Sequence, residues 1–138
     1  LQLARMLGSI FTGYLVRPRI LEEESVQIEP LEISEKTLLF LQEAMGGVVT
    51  HGTAHLLSKI ENAEVFAKTG TAQISNVRRG VKLYSQNEHA WCTAYFRVKG
   101  ERPLVAVVLV EHAGRSRPAV VVVEKLLKFL AAGRRSIA

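Results

Sequence analysis

The chain has 138 residues, a length that suits one compact domain and is short for two. Hydrophobic residues make up 48% and charged residues 22%, the balance of a globular domain that can bury a core. No run of eighteen apolar residues occurs in the sequence, and no signal-peptide pattern opens it. Because the sequence starts at Leu1 within a helical pattern, we expect that any targeting signals precede it in a longer protein.

Cysteine content and charge narrow the function classes further. Cys92 is the single cysteine, which excludes an intrachain disulfide and a cysteine-based metal cluster, and its apolar neighbours predict a small core residue. The net charge of +5 is compatible with an anionic partner. The basic residues are scattered and no nucleic-acid-binding motif joins them, so a solvated basic surface is favoured and no nucleic-acid partner is expected.

Two helices are predicted in the first half of the chain. Apolar residues recur with a helical period over residues 1–15, and the thin polar side predicts a largely buried helix that ends before Pro18. Residues 21–32 are predicted to form an extended surface connection. Ser34 is the predicted N-cap of a second helix over residues 35–49.

Glycines follow this second helix closely. Gly46 and Gly47 are expected to weaken or end it, because glycine is a poor helix former. The stretch GTAHLL at residues 52–57 is predicted to add one short turn.

From residue 63 onward the apolar period changes to two, which predicts strands over residues 64–74, 90–98 and 104–110. Residues 99–102 form a short hairpin loop, so the last two strands are antiparallel. The segment LVAVVLV (104–110) lacks alternation, which predicts that both of its faces are covered and that it lies centrally in its sheet.

A helix is predicted to close the chain. Pro118 suits its first turn, Gly133 its C-cap, and Glu124 lies four residues before Lys128. The fold class expected from these elements is α+β, with an antiparallel three-stranded sheet packed against helices.

The stretch VFAKTGTAQIS (65–75) carries the clearest chemical signal. Side chains alternate along a strand, so Thr69 and Thr71 share one face while Lys68 and Gly70 share the other. Two hydroxyls, a nearby ammonium and an unobstructed backbone suit a bound carboxylate, above all if the strand lies at a sheet edge. The alternative is an edge strand that uses threonine and lysine for solubility. A phosphate-binding loop is excluded, because the GxxxxGK[ST] spacing is absent.

Two histidines have a spacing that occurs in zinc sites. His51 and His55 are four residues apart, but Gly52 stands where zinc proteases carry glutamate, and no third ligand is evident. No metal site and no cofactor are therefore predicted. A basic loop with Arg78, Arg79 and Lys82 follows the strand that carries Lys68. This loop either borders a site entrance or is merely solvated.

Lys68-Thr69-Gly70 resembles the K-T-G box of penicillin-binding proteins and serine β-lactamases. The segments LQLARM, GTAHLL…FAKTGTAQ, NEHAWCTAYF and PLVAVVLVEHAG resemble class B penicillin-binding proteins over nearly all of the chain. Ala67 and VEHAG are most similar to elongation-type members, with division-type members as the alternative. The family's S-x-x-K and S-x-N boxes are absent, so the resemblance implies that residues 1–138 are the C-terminal portion of one transpeptidase domain, without its nucleophile.

The resemblance assigns roles by position. Lys68 would supply positive potential and assist proton transfer, and Thr69 and Thr71 would hold the terminal carboxylate of a D-Ala-D-Ala stem peptide or a β-lactam. The Thr71 N–H would form half of an oxyanion hole, and Gly70 would keep the strand open. Lys68 and Thr71 are thus the predicted catalytic residues, and Thr69, Gly70 and Thr71 the predicted substrate-binding residues.

The family also implies context. The expected function is peptidoglycan D,D-transpeptidation, with stem peptides or lipid-linked precursors, β-lactams and the N-terminal part of the same protein as partners. The expected location is the periplasmic side of the inner membrane, through an upstream anchor. The chain alone is expected to be inactive and to associate through an open sheet edge. A β-lactam-sensing module and a non-catalytic basic interaction domain are the alternatives.

Overall fold

The computed structural model describes residues 1–21, 23–73 and 88–133. Within them, a three-stranded antiparallel sheet is covered by helices on both faces, and a two-stranded sheet lies apart from it. This confirms the α+β class. The helices are α1 (Gln2–Thr12), α2 (Glu35–Thr50), a 3-10 helix (His55–Lys59) and α3 (Arg117–Gly133); the strands are β1 (Tyr14–Val16), β2 (Ile28–Pro30), β3 (Ala63–Gln73), β4 (Glu88–Val98) and β5 (Leu104–Val110).

The main sheet has the order β3-β4-β5, so β4 is its central strand. The prediction that the 104–110 segment lies centrally is wrong for this chain, because β4 is its single neighbour among the described residues. Its faces are also incompletely covered: Ala106 is buried, but Leu104 and Leu109 are 38% and 40% exposed. The continuous apolar pattern of residues 104–110 therefore predicted more burial of this strand than the described residues provide.

One face of the sheet packs against α3 and the 3-10 helix. Ala67 on β3 and Cys92 and Ala94 on β4 are all fully buried there. These small side chains let the helices approach closely, and larger residues of the helices fill the layer. Those residues are Leu57 on the 3-10 helix and Val120, Val123 and Leu127 on α3.

The other face carries an aromatic cluster against α1. The Phe11 ring stacks on Tyr95, with ring centroids 3.9 Å apart and nearly parallel planes, and lies 4.9 Å from the Phe66 ring. Leu7 is fully buried beneath it, whereas Met6 is 51% exposed. The expectation of a largely buried helix is therefore wrong here, because α1 packs through one stripe only.

The end of α1 differs from its prediction as well. The helix stops at Gly13, whose φ of 74° is left-handed and whose N–H donates to the Ser9 carbonyl oxygen at 2.9 Å. Glycine adopts this conformation without steric cost, so Gly13 ends the helix several residues before Pro18. Strand β1 begins at once and pairs with β2, so the 21–32 segment includes a short strand that the sequence pattern did not predict.

Helix α2 passes through its two glycines. Ser34 caps it, with its Oγ accepting from the Thr37 N–H at 3.2 Å, as predicted. The helix continues to Thr50, so Gly46 and Gly47 do not end it. A Cβ on Gly46 would lie 3.5 Å from the Phe66 ring, an ordinary van der Waals contact at the point where the helix crosses β3.

The closing helix is confirmed. Lys128 Nζ lies 2.6 Å from Glu124 Oε1, the four-residue pair expected on a helix surface. Among the described residues, no helix has the length and apolar character needed to span a membrane.

Two glycines near the end of α2 allow a matched test of this geometry. Gly47 has open space at its Cβ position, so Gly47→Ala should stabilise the protein by about 0.5–1 kcal/mol through helix propensity. A Cβ on Gly52 would lie 2.8 Å from the Val48 Cα, so Gly52→Ala should destabilise by about 1–3 kcal/mol. Thermal unfolding of both variants in the full-length protein measures the difference, and equal midpoints would contradict the described turn.

Candidate active site

The direction of the backbone groups along β3 is set by its pairing with β4. The Lys99 N–H donates to the Asn62 carbonyl oxygen at 3.0 Å. The backbone N–H and C=O groups of Asn62 therefore point toward β4. On β4, the Glu88 carbonyl oxygen accepts a hydrogen bond from the Gly114 N–H. The backbone groups of Glu88 therefore point away from β3. In an antiparallel ladder, successive residues alternate between facing the partner strand and facing away. The even-numbered residues of β3 therefore bond to β4.

The odd-numbered residues of β3 consequently direct their N–H and C=O groups to the open edge. Thr69 and Thr71 are among them, since they pair in register with Cys92 and Ala90. The Thr69 carbonyl oxygen accepts a bond from the Lys68 ammonium at 2.5 Å, as expected for a group that β4 leaves free. Strand β3 lies at an edge of the described sheet, so no strand among the described residues bonds to these outward backbone groups.

The two threonine side chains share a face of β3 but differ in burial. Thr69 is buried, and its Oγ1 lies 2.6 Å from the Oγ1 of Thr53 on the turn before the 3-10 helix. Thr71 is exposed, near the end of the strand. Thr53 was not predicted as a site residue; its position in the stretch GTAHLL was the available signal. The buried hydroxyl is thus held in place, whereas the Thr71 side chain is exposed.

Lys68 and Gly70 lie on the opposite face, as the alternation predicts. Thr93 Oγ1 donates to the Lys68 carbonyl oxygen at 3.3 Å, a second polar contact that the sequence did not suggest. A Cβ on Gly70 would lie 3.4 Å from the Trp91 Cβ, a tight contact. Glycine therefore lets β3 and β4 pair closely at this point.

Together, these groups have the chemistry that suits an anion along the strand edge. Backbone N–H donors, an ammonium and an exposed hydroxyl are the groups that stabilise a carboxylate or a developing oxyanion. The two serine-lysine stretches rejected as nucleophile motifs are engaged elsewhere. Ser34 Oγ caps α2, and Ser58 Oγ donates to the His55 carbonyl oxygen at 2.8 Å.

The histidine pair is also engaged locally. His51 Nδ1 lies 2.8 Å from the Thr50 Oγ1, and His55 Nδ1 lies 2.9 Å from the Thr50 carbonyl oxygen. No group of three potential metal ligands occurs within the described ranges. The basic loop with Arg78, Arg79 and Lys82 lies outside the described residues.

Comparison with known proteins decides the family. The penicillin-binding protein transpeptidase domain matches residues 1–128, most of the chain. The chain belongs to the penicillin-binding protein transpeptidase family. The sequence Lys68-Thr69-Gly70 lies on the edge strand described above. As the sequence resemblance implied, the chain is a class B member.

Solved structures support the same assignment. A complex of penicillin-binding protein PBP2 with MreC from Helicobacter pylori has a chain 30% identical, with a TM-score of 0.71, covering 97% of this chain and 25% of that one. A peptidoglycan synthase complex for polymerisation and crosslinking matches at 27% identity and a TM-score of 0.71, over 94% and 22% of the two chains. No curated protein sequence matches.

A third structure agrees in fold. A putative peptidoglycan glycosyltransferase from Atopobium parvulum is 23% identical, with a TM-score of 0.70, over 99% of this chain and 33% of that one. The chain spans about a quarter of the length of the Helicobacter pylori protein.

Cys92 on β4 is the register partner of Thr69 on β3. Its buried thiol allows a pH-dependent test of the core next to the candidate site. Burial raises the pKa of its thiol from 9.0 to about 11. Between these values the unfolded thiol loses its proton while the folded one keeps it, so stability falls as pH rises. We expect roughly 2 to 3 kcal/mol to be lost across this window, with little loss below pH 9.

The measurement is denaturant unfolding at several alkaline pH values, with Cys92→Ala as the control. The control variant lacks the titrating thiol, so its stability should decline less steeply over the same range. Identical slopes for the two proteins would contradict a buried, protonated Cys92.

Proposed function

We propose that this chain is the C-terminal portion, residues 1–138, of the transpeptidase domain of a peptidoglycan D,D-transpeptidase. The observation that carries the proposal is the open edge of β3, where the K-T-G box presents outward backbone groups beside the Lys68 ammonium. The family membership supports the same class of reaction. The serine nucleophile belongs to a part of the domain that precedes this chain.

In this mechanism, the serine attacks the carbonyl carbon of the penultimate D-alanine and releases the terminal D-alanine. An acceptor amine then displaces the serine from the acyl-enzyme and forms the cross-link. A β-lactam acylates the same serine by ring opening. Each step passes through a tetrahedral oxyanion, which preorganised donors stabilise.

The K-T-G residues have distinct roles. The Thr71 N–H, directed to the open edge, forms half of the oxyanion hole. The Thr69 and Thr71 hydroxyls bind the terminal carboxylate. Lys68 supplies positive potential and assists proton transfer through the missing second box. Gly70 keeps the strand close to β4 and open to the substrate.

The wider assignment follows the same reasoning. Stem peptides or lipid-linked precursors are the proposed substrates and β-lactams the proposed inhibitors. We assign the full-length protein to the elongation type and to the outer side of the inner membrane, through an upstream anchor. The likeness to a PBP2 chain solved with MreC supports this choice over a division role. The chain by itself is expected to be inert toward penicillin, because it lacks the nucleophile.

The first test removes the ammonium. In the full-length protein, Lys68→Ala should slow acylation by a fluorescent penicillin about a hundredfold or more, because a preorganised positive charge at the developing oxyanion is lost. Lys125→Ala on the exposed side of α3 is the control and should react normally. Acylation of Lys68→Ala within threefold of wild type would refute the role of Lys68. A cross-linking assay then separates a transpeptidase from a β-lactam sensor, which is acylated without transfer.

The second test removes one backbone donor. Thr71→Pro deletes the N–H that faces the open edge, and Thr71→Ala removes only the hydroxyl. Proline is tolerated on the outward side of an edge strand, so the fold should survive. We expect acylation by penicillin to fall at least tenfold further in Thr71→Pro than in Thr71→Ala. Equal rates, with unchanged circular dichroism, would exclude this N–H from the oxyanion hole.

A further inference from the structure

A basic groove lies beside the K-T-G strand, between the 3-10 helix and the start of α3. Its volume is about 490 Å³. The turn before the 3-10 helix forms one wall through Thr53, and the loop between β5 and α3 forms the other. The charged side chains that line it are Lys59, Arg115 and Arg117.

The positive charge in this groove is uncompensated by the described residues. Lys59, Arg115 and Arg117 are exposed and form no ion pair within the described ranges. The first turn of α3 carries no acidic residue, although acidic residues are the ones favoured at a helix N-terminus. Arg117 is instead the first residue of the helix and Arg115 lies two residues before it, so both cations oppose the helix dipole. Three cations and a helix N-terminus at one groove repel one another, and a bound anion would relieve that repulsion.

The groove connects to the proposed active site at both walls. Thr53, on the first wall, shares its hydroxyl contact of 2.6 Å with Thr69 of the K-T-G box. On the second wall, the Gly114 N–H next to Arg115 donates to the Glu88 carbonyl oxygen, and Glu88 pairs with Gln73 at the end of β3. A peptide bound along the edge of β3 would therefore pass the mouth of the groove.

We propose that this groove binds a second carboxylate of the peptide substrate, remote from the bond that reacts. The peptide identity rests on the proposed function, whereas the capacity to bind an anion rests on the groove alone. Arginine binds carboxylates through paired N–H donors, and Arg115 and Arg117 supply two such side chains. Continuity with Thr69 favours a peptide carboxylate over phosphate, which is the competing oxyanion.

The test uses the full-length protein and a charge-matched control. Arg115→Gln with Arg117→Gln removes two charges from the groove. Arg102→Gln with Lys125→Gln removes two exposed charges elsewhere, on the β4–β5 hairpin and the body of α3. The probes are a fluorescent stem tripeptide with a free side-chain carboxylate and the same peptide with that group amidated. Both lack D-Ala-D-Ala, so equilibrium binding is measured without reaction.

We expect wild type and the control variant to bind the carboxylate peptide about tenfold more tightly than the amidated one, the effect of one charged hydrogen-bonding group. The groove variant should lose this preference while its acylation by penicillin stays within twofold of wild type. An unchanged preference in the groove variant would overturn the proposal. So would a preference lost equally in the control variant, or an acylation rate that falls together with binding.

Two further arms separate the remaining outcomes. Inorganic phosphate is titrated against the labelled peptide. Weak competition supports a peptide carboxylate site, whereas phosphate binding that requires Arg115 and Arg117, without any carboxylate preference, overturns it. If wild type is not acylated by penicillin, the proposed function fails, and the peptide-binding comparison still decides the groove.

Discussion

The register between β3 and β4 is the constraint on which the candidate site depends. Pairing Thr71 with Ala90 directs the backbone of Thr69 and Thr71 to the open edge and that of Lys68 and Gly70 to β4. A slip of one residue would reverse every one of these directions and would exchange the faces of the side chains. The backbone donors would then be used up in the ladder. The chemistry proposed for residues 68–71 therefore depends on strand pairing as much as on residue type.

Packing on both faces fixes that register. Ala67 is fully buried against the helical layer of α3, and Phe66, its neighbour, contacts Phe11 on the other face. A slip would place the phenyl ring in a layer built for alanine, at a cost typical of overpacked cores, about 1–3 kcal/mol or more. Alternating large and small side chains thus hold β3 in place while its outer edge stays free.

Sequence reasoning recovered the elements whose signal is local. The bounds of β5, the Ser34 cap and the Glu124–Lys128 pair all follow from short-range patterns, and the structure agrees. It failed where a distant contact decides the outcome. Helix α2 packs against β3 and continues through Gly46 and Gly47, and the edge position of β5 depends on which strands are present.

The candidate site shows the same division. The face shared by Thr69 and Thr71 follows from the two-residue period alone. The hydrogen-bond partner of Thr69 is Thr53, which lies sixteen positions earlier in the chain. No sequence periodicity links a turn to the strand that it contacts. The groove likewise joins residues 52–59 to residues 115–120, so its charge is visible only after folding. The resemblance to a family supplied the expected roles of residues 68–71. It did not indicate the Thr53–Thr69 contact or the basic groove.

The hydroxyl pair of Thr53 and Thr69 can order the site in a way that neither residue can alone. Either oxygen can be the donor across the 2.6 Å contact. If Thr69 donates to Thr53, its single proton is used and it can only accept, so it cannot bind a carboxylate. If Thr53 donates to Thr69, the Thr69 proton is free for an anionic ligand. In the proposed function, a bound carboxylate would therefore favour the second arrangement, in which Thr53 at the wall of the basic groove donates to Thr69.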